Sequence, residues 1–324
     1  MSRDAAGGST EAPVVVAVVS WNTRELLDRC LQSLEPDVRA GTAEVWVVDN
    51  ASSDGSADMV RRRHDWVHLV ALTENLGYGR AVNLVAERTV SPWLVLTNAD
   101  VSLAPQAIGR LVAAAVADPG AGILAPRLVL PTGATQHLAW AFPTVGATVA
   151  QNLGPRLVPG RLAERMALRG AWNPDRARRI PWAVGAFLLV RRAAWEEVGG
   201  FDPGQWMSAE DLDLGWRMRE AGWATRYEPS AVVHHEESAA TRTVWGADLP
   251  IHWQRCAYAW MLRRRGRART VTVGTLNLTG SAARLAVDLT RAGFRFDDRL
   301  RTMARWTLVH AYAFAPRRLL DRYR

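Results

Sequence analysis

Carboxylates and histidines stand in three short polar stretches of this 324-residue chain, each beside an apolar run or a helical pattern. TNADV at 97–101 closes the apolar run 93–97, so Asp100 leaves a buried strand at its carboxyl end, where open α/β sheets bind ligands. An aspartate there is an oxygen ligand for a hard cation such as Mg²⁺ or Mn²⁺, which in turn can hold a diphosphate. The alternative is a cap for the helix that begins near Pro105. In SAEDLDLGW, Glu210, Asp211 and Asp213 fall in one first helical turn. Three acids exceed what offsetting the helix dipole requires, and Asp211 at a helix start beside a cleft has the position of a general base. His234 and His235 follow in VVHHEES, either as structural side chains or as a metal ligand near the carboxylates.

A second group of residues has the chemistry to hold a nucleotide. The apolar run EVWVV opens into DNASSDGS, where Asp49, Asn50, Ser52, Ser53 and Asp54 offer hydrogen bonds to a base and ribose and Gly55 allows a tight turn; an ordinary polar loop is the alternative. In ENLGYGRAVN, Gly77 and Gly79 precede a helical pattern, so backbone amides there can approach an anion, with Arg80 adding a charge-assisted contact to a phosphate.

These residues need a scaffold that brings strand ends together. Apolar runs at 13–20, 44–48, 67–72, 93–97 and 122–126 alternate with helical patterns, among them one with Leu26, Leu27, Cys30, Leu31 and Leu34 on one face and one from about 105 to 117. Asn22 and Glu25 have capping-box spacing at the start of the first helix. The alternation specifies an α/β fold, a doubly wound, mostly parallel sheet flanked by helices. No Gly-x-Gly-x-x-Gly follows the first strand, which argues against a dinucleotide-dependent oxidoreductase. The region 140–182, rich in Pro, Gly, Trp and Arg with one short helix at 162–168, reads as a functional loop or lid. A further strand is expected over 182–192, then a short helix stopped by Gly199 and Gly200.

Composition places the charge. All forty basic residues are arginine, and residues 255–324 carry a net +12 against +8 for the whole chain, so the remainder is acidic. An electrostatic partner is therefore expected at the C-terminal end. Two distant cysteines fit a reduced, cytosolic protein, and no apolar run approaches the roughly 20 residues that span a bilayer. Residues 1–12 are read as a disordered tail.

In this order, the motifs VVSWN, VVDNASSDGS, ENLGYGRAVN, TNADV, GAFLLVRR, GGFD, AEDLDLGWRMREAG and HH resemble those of glycosyltransferase family 2, enzymes of the GT-A fold, and within it the bacterial rhamnosyltransferase-like branch. The resemblance covers roughly 13–238 and implies a GT-A domain over 13–243 followed by a basic helical C-terminal extension over 244–324. It implies that Val19, Ser20, Asn22, Asp49 and Asn50 hold the nucleoside, and that Asn75, Gly77, Arg80 and Asn83 shape the donor pocket. Asn98 and Asp100 occupy the Asp-x-Asp metal motif. Asn98 replaces the first acid of that motif, and Asp100 is the implied ligand. His235 joins it on Mg²⁺ or Mn²⁺, with His234 as the alternative one residue away. Glu210 and Asp211 fall on the acidic pair, Asp211 being the base.

The implied reaction is an inverting transfer of a sugar, L-rhamnose from dTDP-rhamnose before a UDP-sugar, to a glycan or polyprenyl-diphosphate-linked acceptor in cell-envelope polysaccharide synthesis. A nucleotidyltransferase should carry a glycine-rich basic loop where this chain has WNTREL, and a sugar-nucleotide-binding module without turnover is the remaining rival. Apolar and aromatic residues interleaved with arginine after about residue 243 add the expectation of peripheral attachment to the anionic inner face of the cell membrane, with no nucleic acid as partner.

Overall fold

A computed structural model describes residues 13–154, 157–168, 171–205, 208–236, 245–292 and 297–315. The expected tail at 1–12 and the boundary at 243/244 lie outside these residues. The strands are β1 (Val14–Ser20), β2 (Ala43–Asp49), β3 (His68–Ala71), β4 (Trp93–Asn98), β5 (Val101–Leu103), β6 (Ala121–Val129), β7 (Ala139–Trp140), β8 (Arg178–Ile180), β9 (Trp182–Ala183), β10 (Phe187–Arg191) and β11 (Ala224–His235). The helices of the first half are α1 (Arg24–Arg39), α2 (Ser56–Arg63), α3 (Tyr78–Ala86), α4 (Ala107–Ala117), α5 (Val145–Leu153) and α6 (Gly160–Arg165). Those of the second are α7 (Arg192–Val198), α8 (Glu210–Glu220), α9 (Leu249–Arg265), α10 (Arg267–Arg291) and α11 (Asp298–Val309).

The main sheet has the order β3-β2-β1-β4-β10-β6-β11-β5, with β8 beside β11. Strands β3, β2, β1 and β4 are mutually parallel, and β6 and β11 form a second parallel pair. Between these halves β10 runs antiparallel to both β4 and β6. Successive residues of β1, β4 and β10 are buried, so both faces of the sheet are covered, and a continuous apolar sequence is the result. The mostly parallel α/β sheet is as expected.

Three local expectations need correction. The run 182–192 is not one strand: β9 pairs with β7 in a separate two-stranded sheet, and β10 begins only at Phe187. The chain breaks there because the Gly185 amide turns toward Asp211 instead of a strand partner. The capping box of α1 does not form. Thr23 is the N-cap, and the Arg24 amide donates to Asp54 Oδ2 from another loop at 2.8 Å. Finally, β11 is a long strand where no element was expected. Its register shifts between Glu228 and Val232, a bulge that accommodates Pro229 in a ladder it could not otherwise join.

The C-terminal helices are built into the protein. Tyr258, Trp260 and Met261 of α9 are fully buried, in one cluster with Leu212 of α8, Phe142 and Val273 of α10. An aromatic side chain buries about 150–250 Å², which at about 25 cal/mol per Å² is roughly 4–6 kcal/mol of transfer free energy as an upper figure. Helix α9 is thus bound to the catalytic side of the fold by its own apolar residues. Among the described residues no helix is long and apolar enough to cross a membrane.

Candidate active site

Asp100 and His235 meet because of strand register. Asp100 lies between β4 and β5, and β11 pairs antiparallel with β5 so that His235 stands opposite Val101. Both side chains are buried, with His235 Nε2 3.5 Å from Asp100 Oδ1. His235 Nδ1 lies 2.7 Å from Gln136 Oε1. An amide oxygen only accepts, so Nδ1 carries the proton, and in the neutral ring Nε2 presents its lone pair toward the carboxylate. Nε2 is buried with no hydrogen-bond partner among the described residues. An imidazole nitrogen and a carboxylate oxygen facing each other in a buried place are a donor set that suits a divalent cation. His234 is exposed. Arg29 and Leu26 of α1 line the same small cleft.

Glu210 and Asp211 open α8 behind a strained backbone. Ser208 has φ of 60° and Ala209 of 134°, the second far from any conformation an alanine favours, and such strain is held only where the surroundings fix it. Asp211 Oδ2 accepts the Gly185 amide at 3.0 Å and Oδ1 the Leu212 amide at 2.8 Å, while Glu210 Oε2 accepts the Ala209 amide at 3.0 Å. Burial raises the Asp211 carboxyl above its ordinary range, and burial together with the charge of Asp211 raises that of Glu210.

Tyr78 joins the two halves of the site. Its hydroxyl donates to the Gly185 carbonyl at 3.1 Å, so Gly185 bridges it to Asp211. The phenol is raised well above its usual value by burial and then by the charges of Glu210, Asp211 and Asp100, so all three acids act on one place. Asp213, the third acid of the turn, faces away and is buried among Arg217, Trp260 and Arg264.

The loops at the carboxyl ends of β1 and β2 interlock. Val19 pairs with Val48 and Asn98, and Ser20 with Asp49, while Ser20 Oγ lies 3.0 Å from Thr23 Oγ1. Asn22, with φ of 52°, donates its amide to Ser52 Oγ and accepts the Ser53 amide on Oδ1. Asn50 accepts the Leu76 amide, and Asn75 that of Gly77. Asp49 Oδ2 accepts the Ser52 amide, whereas Oδ1 is buried with no hydrogen-bond partner among the described residues. A buried acceptor of that kind at a strand end suits a donor on a nucleoside. Arg80 and Asn83 are engaged by the loop before α8. Arg80 donates to the Pro203 carbonyl, and Asn83 both donates to the Phe201 carbonyl and accepts the Phe201 amide, so they hold the GGFD loop before α8.

The chain matches glycosyltransferase like family 2 over residues 12–249. It is 32% identical over 277 residues to the N-acetylglucosaminyl-diphospho-decaprenol L-rhamnosyltransferase of Mycobacterium tuberculosis, covering 76% of this chain and 88% of that protein. A shorter match, 30% identical over 86 residues, covers 26% of this chain and 32% of rhamnosyltransferase WbbL of Escherichia coli. Among solved structures, the mannosyltransferase PcManGT of Pyrobaculum calidifontis, in complex with GDP-Man and Mn²⁺, superimposes with a TM-score of 0.57 at 20% identity over 95% of this chain and 86% of that one. GalNAc-T7 with UDP, GalNAc and Mn²⁺ gives 0.54 at 16% identity, over 77% and 48%. The fold is GT-A. The chain belongs to glycosyltransferase family 2 and is a glycosyltransferase of its rhamnosyltransferase-like branch.

Proposed function

We propose that this enzyme transfers L-rhamnose from dTDP-L-rhamnose, with inversion, to a polyprenyl-diphosphate-linked sugar at the cytosolic face of the membrane, in cell-envelope polysaccharide synthesis. The single observation that carries the chemistry is the buried Asp100–His235 pair, with Nε2 aimed at the carboxylate and Nδ1 held by Gln136. The sugar and acceptor classes rest on the 32% identity to the mycobacterial enzyme. Asp100 and His235 would hold Mg²⁺ or Mn²⁺. Mg²⁺ keeps several waters and binds substrate phosphates beside one or two protein ligands, so a pair of protein ligands is enough. When bound, such a cation neutralises charge on the leaving diphosphate.

The protein's own groups do the rest. Asp49, Asn50, Ser20 and Asn22 receive the nucleoside at the strand ends, and Asn98 replaces an acid at the edge of the metal site without adding charge. Asp211, fixed by the Gly185 amide, takes the acceptor hydroxyl's proton as that oxygen bonds to the anomeric carbon and the carbon–diphosphate bond breaks. One displacement inverts the centre, and the proton ends on Asp211. Incubating the protein with a short-chain polyprenyl-diphosphate sugar and either dTDP-L-rhamnose or UDP-sugars tests the assignment. Transfer from dTDP-L-rhamnose, with the opposite anomeric configuration in the product, is expected. Transfer only from a UDP-sugar, or with retention, contradicts it.

A further inference from the structure

The exposed large apolar residues of the basic C-terminal region, Trp253, Val287, Leu308 and Phe314, are scattered along the sequence, so a contiguous apolar surface for its charge to act with at a bilayer is sought elsewhere. One exists on α5 and α6. Of the eleven large apolar side chains exposed among the described residues, five fall within 145–162: Val145, Val149, Leu153, Leu157 and Leu162. Val145, Val149 and Leu153 recur every four residues and form one stripe along α5, while Ala147, Thr148 and Ala150 fill its buried face. A helix on a soluble surface ordinarily turns its polar face outward, and here the outer face is apolar.

The orientation of α5 is fixed by α10. Asn152 donates to Asn277 Oδ1 at 3.2 Å, and Arg284 donates to the Asn152 carbonyl and to its Oδ1. Gly280 makes the approach possible, since a Cβ there would stand 2.0 Å from Asn152 Oδ1. Cations border the stripe. Arg161 and Arg165 of α6 are exposed beside Leu162, Arg284 is exposed at the C-terminal end of α5, and Glu164, the one acid of α6, is engaged by Arg178. An apolar stripe edged with arginine is complementary to the acyl boundary and headgroups of an anionic bilayer.

We infer that α5 and α6 form a membrane-docking surface, with Val149, Leu153 and Leu157 entering the headgroup–acyl boundary of an anionic leaflet and Arg161, Arg165 and Arg284 lying on its headgroups. The inference deepens the proposed function and rests on it in one respect. The lipid-linked acceptor assigned there would bring the enzyme to such a leaflet, and eight residues lie between Gln136, which holds His235, and Val145 at the start of the stripe.

Sedimentation of the full chain with vesicles of phosphatidylglycerol and phosphatidylcholine tests the docking without any substrate. The wild type is expected to pellet at low salt, and the combined substitutions Val149→Asp and Leu153→Asp, both at exposed positions, to lower vesicle affinity about tenfold. Val149→Ser with Leu153→Ser, the gentler pair, should move affinity in the same direction, with thermal unfolding confirming that both variants fold. Turnover on a water-soluble short-chain acceptor should be unchanged. If the wild type stays in the supernatant, or the aspartate variant pellets like the wild type, the surface is not a membrane dock. Absence of sugar transfer by every protein, with the vesicle difference intact, would overturn the proposed reaction and leave the docking standing.

Discussion

Arg264 of α9 grips both carboxylate oxygens of Asp213, with Nε 2.7 Å from Oδ1 and Nη2 3.1 Å from Oδ2, and its other contact is Asp202 of the GGFD loop at 2.7 Å. The helix that begins with Glu210 and Asp211 is thereby clamped by a helix from the basic C-terminal region. Trp260 adds a hydrogen bond to Asp213 at 2.9 Å, and Arg217 closes the site at 2.7 Å. Asp213→Ala is expected to cost about 3–5 kcal/mol, the usual loss when one member of a buried ion pair is removed. Chemical denaturation checks this. A loss below about 1 kcal/mol would mean that packing alone holds α9.

The same aspartate sets an acid sensitivity. Burial alone would raise its carboxyl, but the Arg264 hydrogen bond and the Arg217 charge outweigh burial and hold it below the ordinary value. A depressed folded pKa contributes stability that is complete above the unfolded value and is lost as pH falls through the folded one. The wild-type melting temperature should therefore fall below about pH 4, and Asp213→Asn should flatten that slope. Parallel pH profiles for the two proteins would remove Asp213 from the account.

Asp211→Asn should lower turnover by roughly 10² to 10⁴, the range for a lost general base, with donor affinity retained. It should also reduce the dependence of stability on pH above the ordinary carboxylate range. The folded Asp211 carboxyl is raised by burial, so its contribution favours the fold at pH below the unfolded value and declines as pH rises through the folded one. A neutral amide removes that decline. Steady-state kinetics and melting curves of both proteins across a pH series measure the two effects, and normal turnover would remove Asp211 from the mechanism.

Gln136→Leu should weaken Mn²⁺ affinity about 10- to 100-fold, because Gln136 sets the tautomer of His235 that leaves Nε2 free to coordinate. Titration of the free protein by electron paramagnetic resonance reads this without turnover. Unaltered affinity would show that His235 needs no such support.

How much of this was legible in the sequence follows from what each residue's neighbours are. Strands β1, β2 and β4 announce themselves because burial on both faces demands unbroken apolar runs, and Asp49 and Asp100 at their ends inherit that clarity. Strand β11 hides because Glu228, Pro229 and Ser230 interrupt its pattern at the bulge, although it delivers His235. Gln136, Tyr78 and Gly185 carry no signal of their own, since their roles arise only when β11, β10 and α8 converge. Asp211 and Asp213 were separable in principle, because two positions along a helix turn a side chain to the opposite side. Helix α5 is hard to read because its larger apolar residues face outward and small ones face inward, the reverse of the pattern that marks a surface helix.

The central claim is that Asp100 and His235 act through a divalent cation on the donor diphosphate, and turnover of dTDP-L-rhamnose in chelator with metal added back tests it most directly. The wild type should lose activity in excess EDTA and recover it with Mn²⁺ or Mg²⁺, while Asp100→Ala should stay inactive at every metal concentration. Full wild-type turnover in a thoroughly chelated sample would contradict the account.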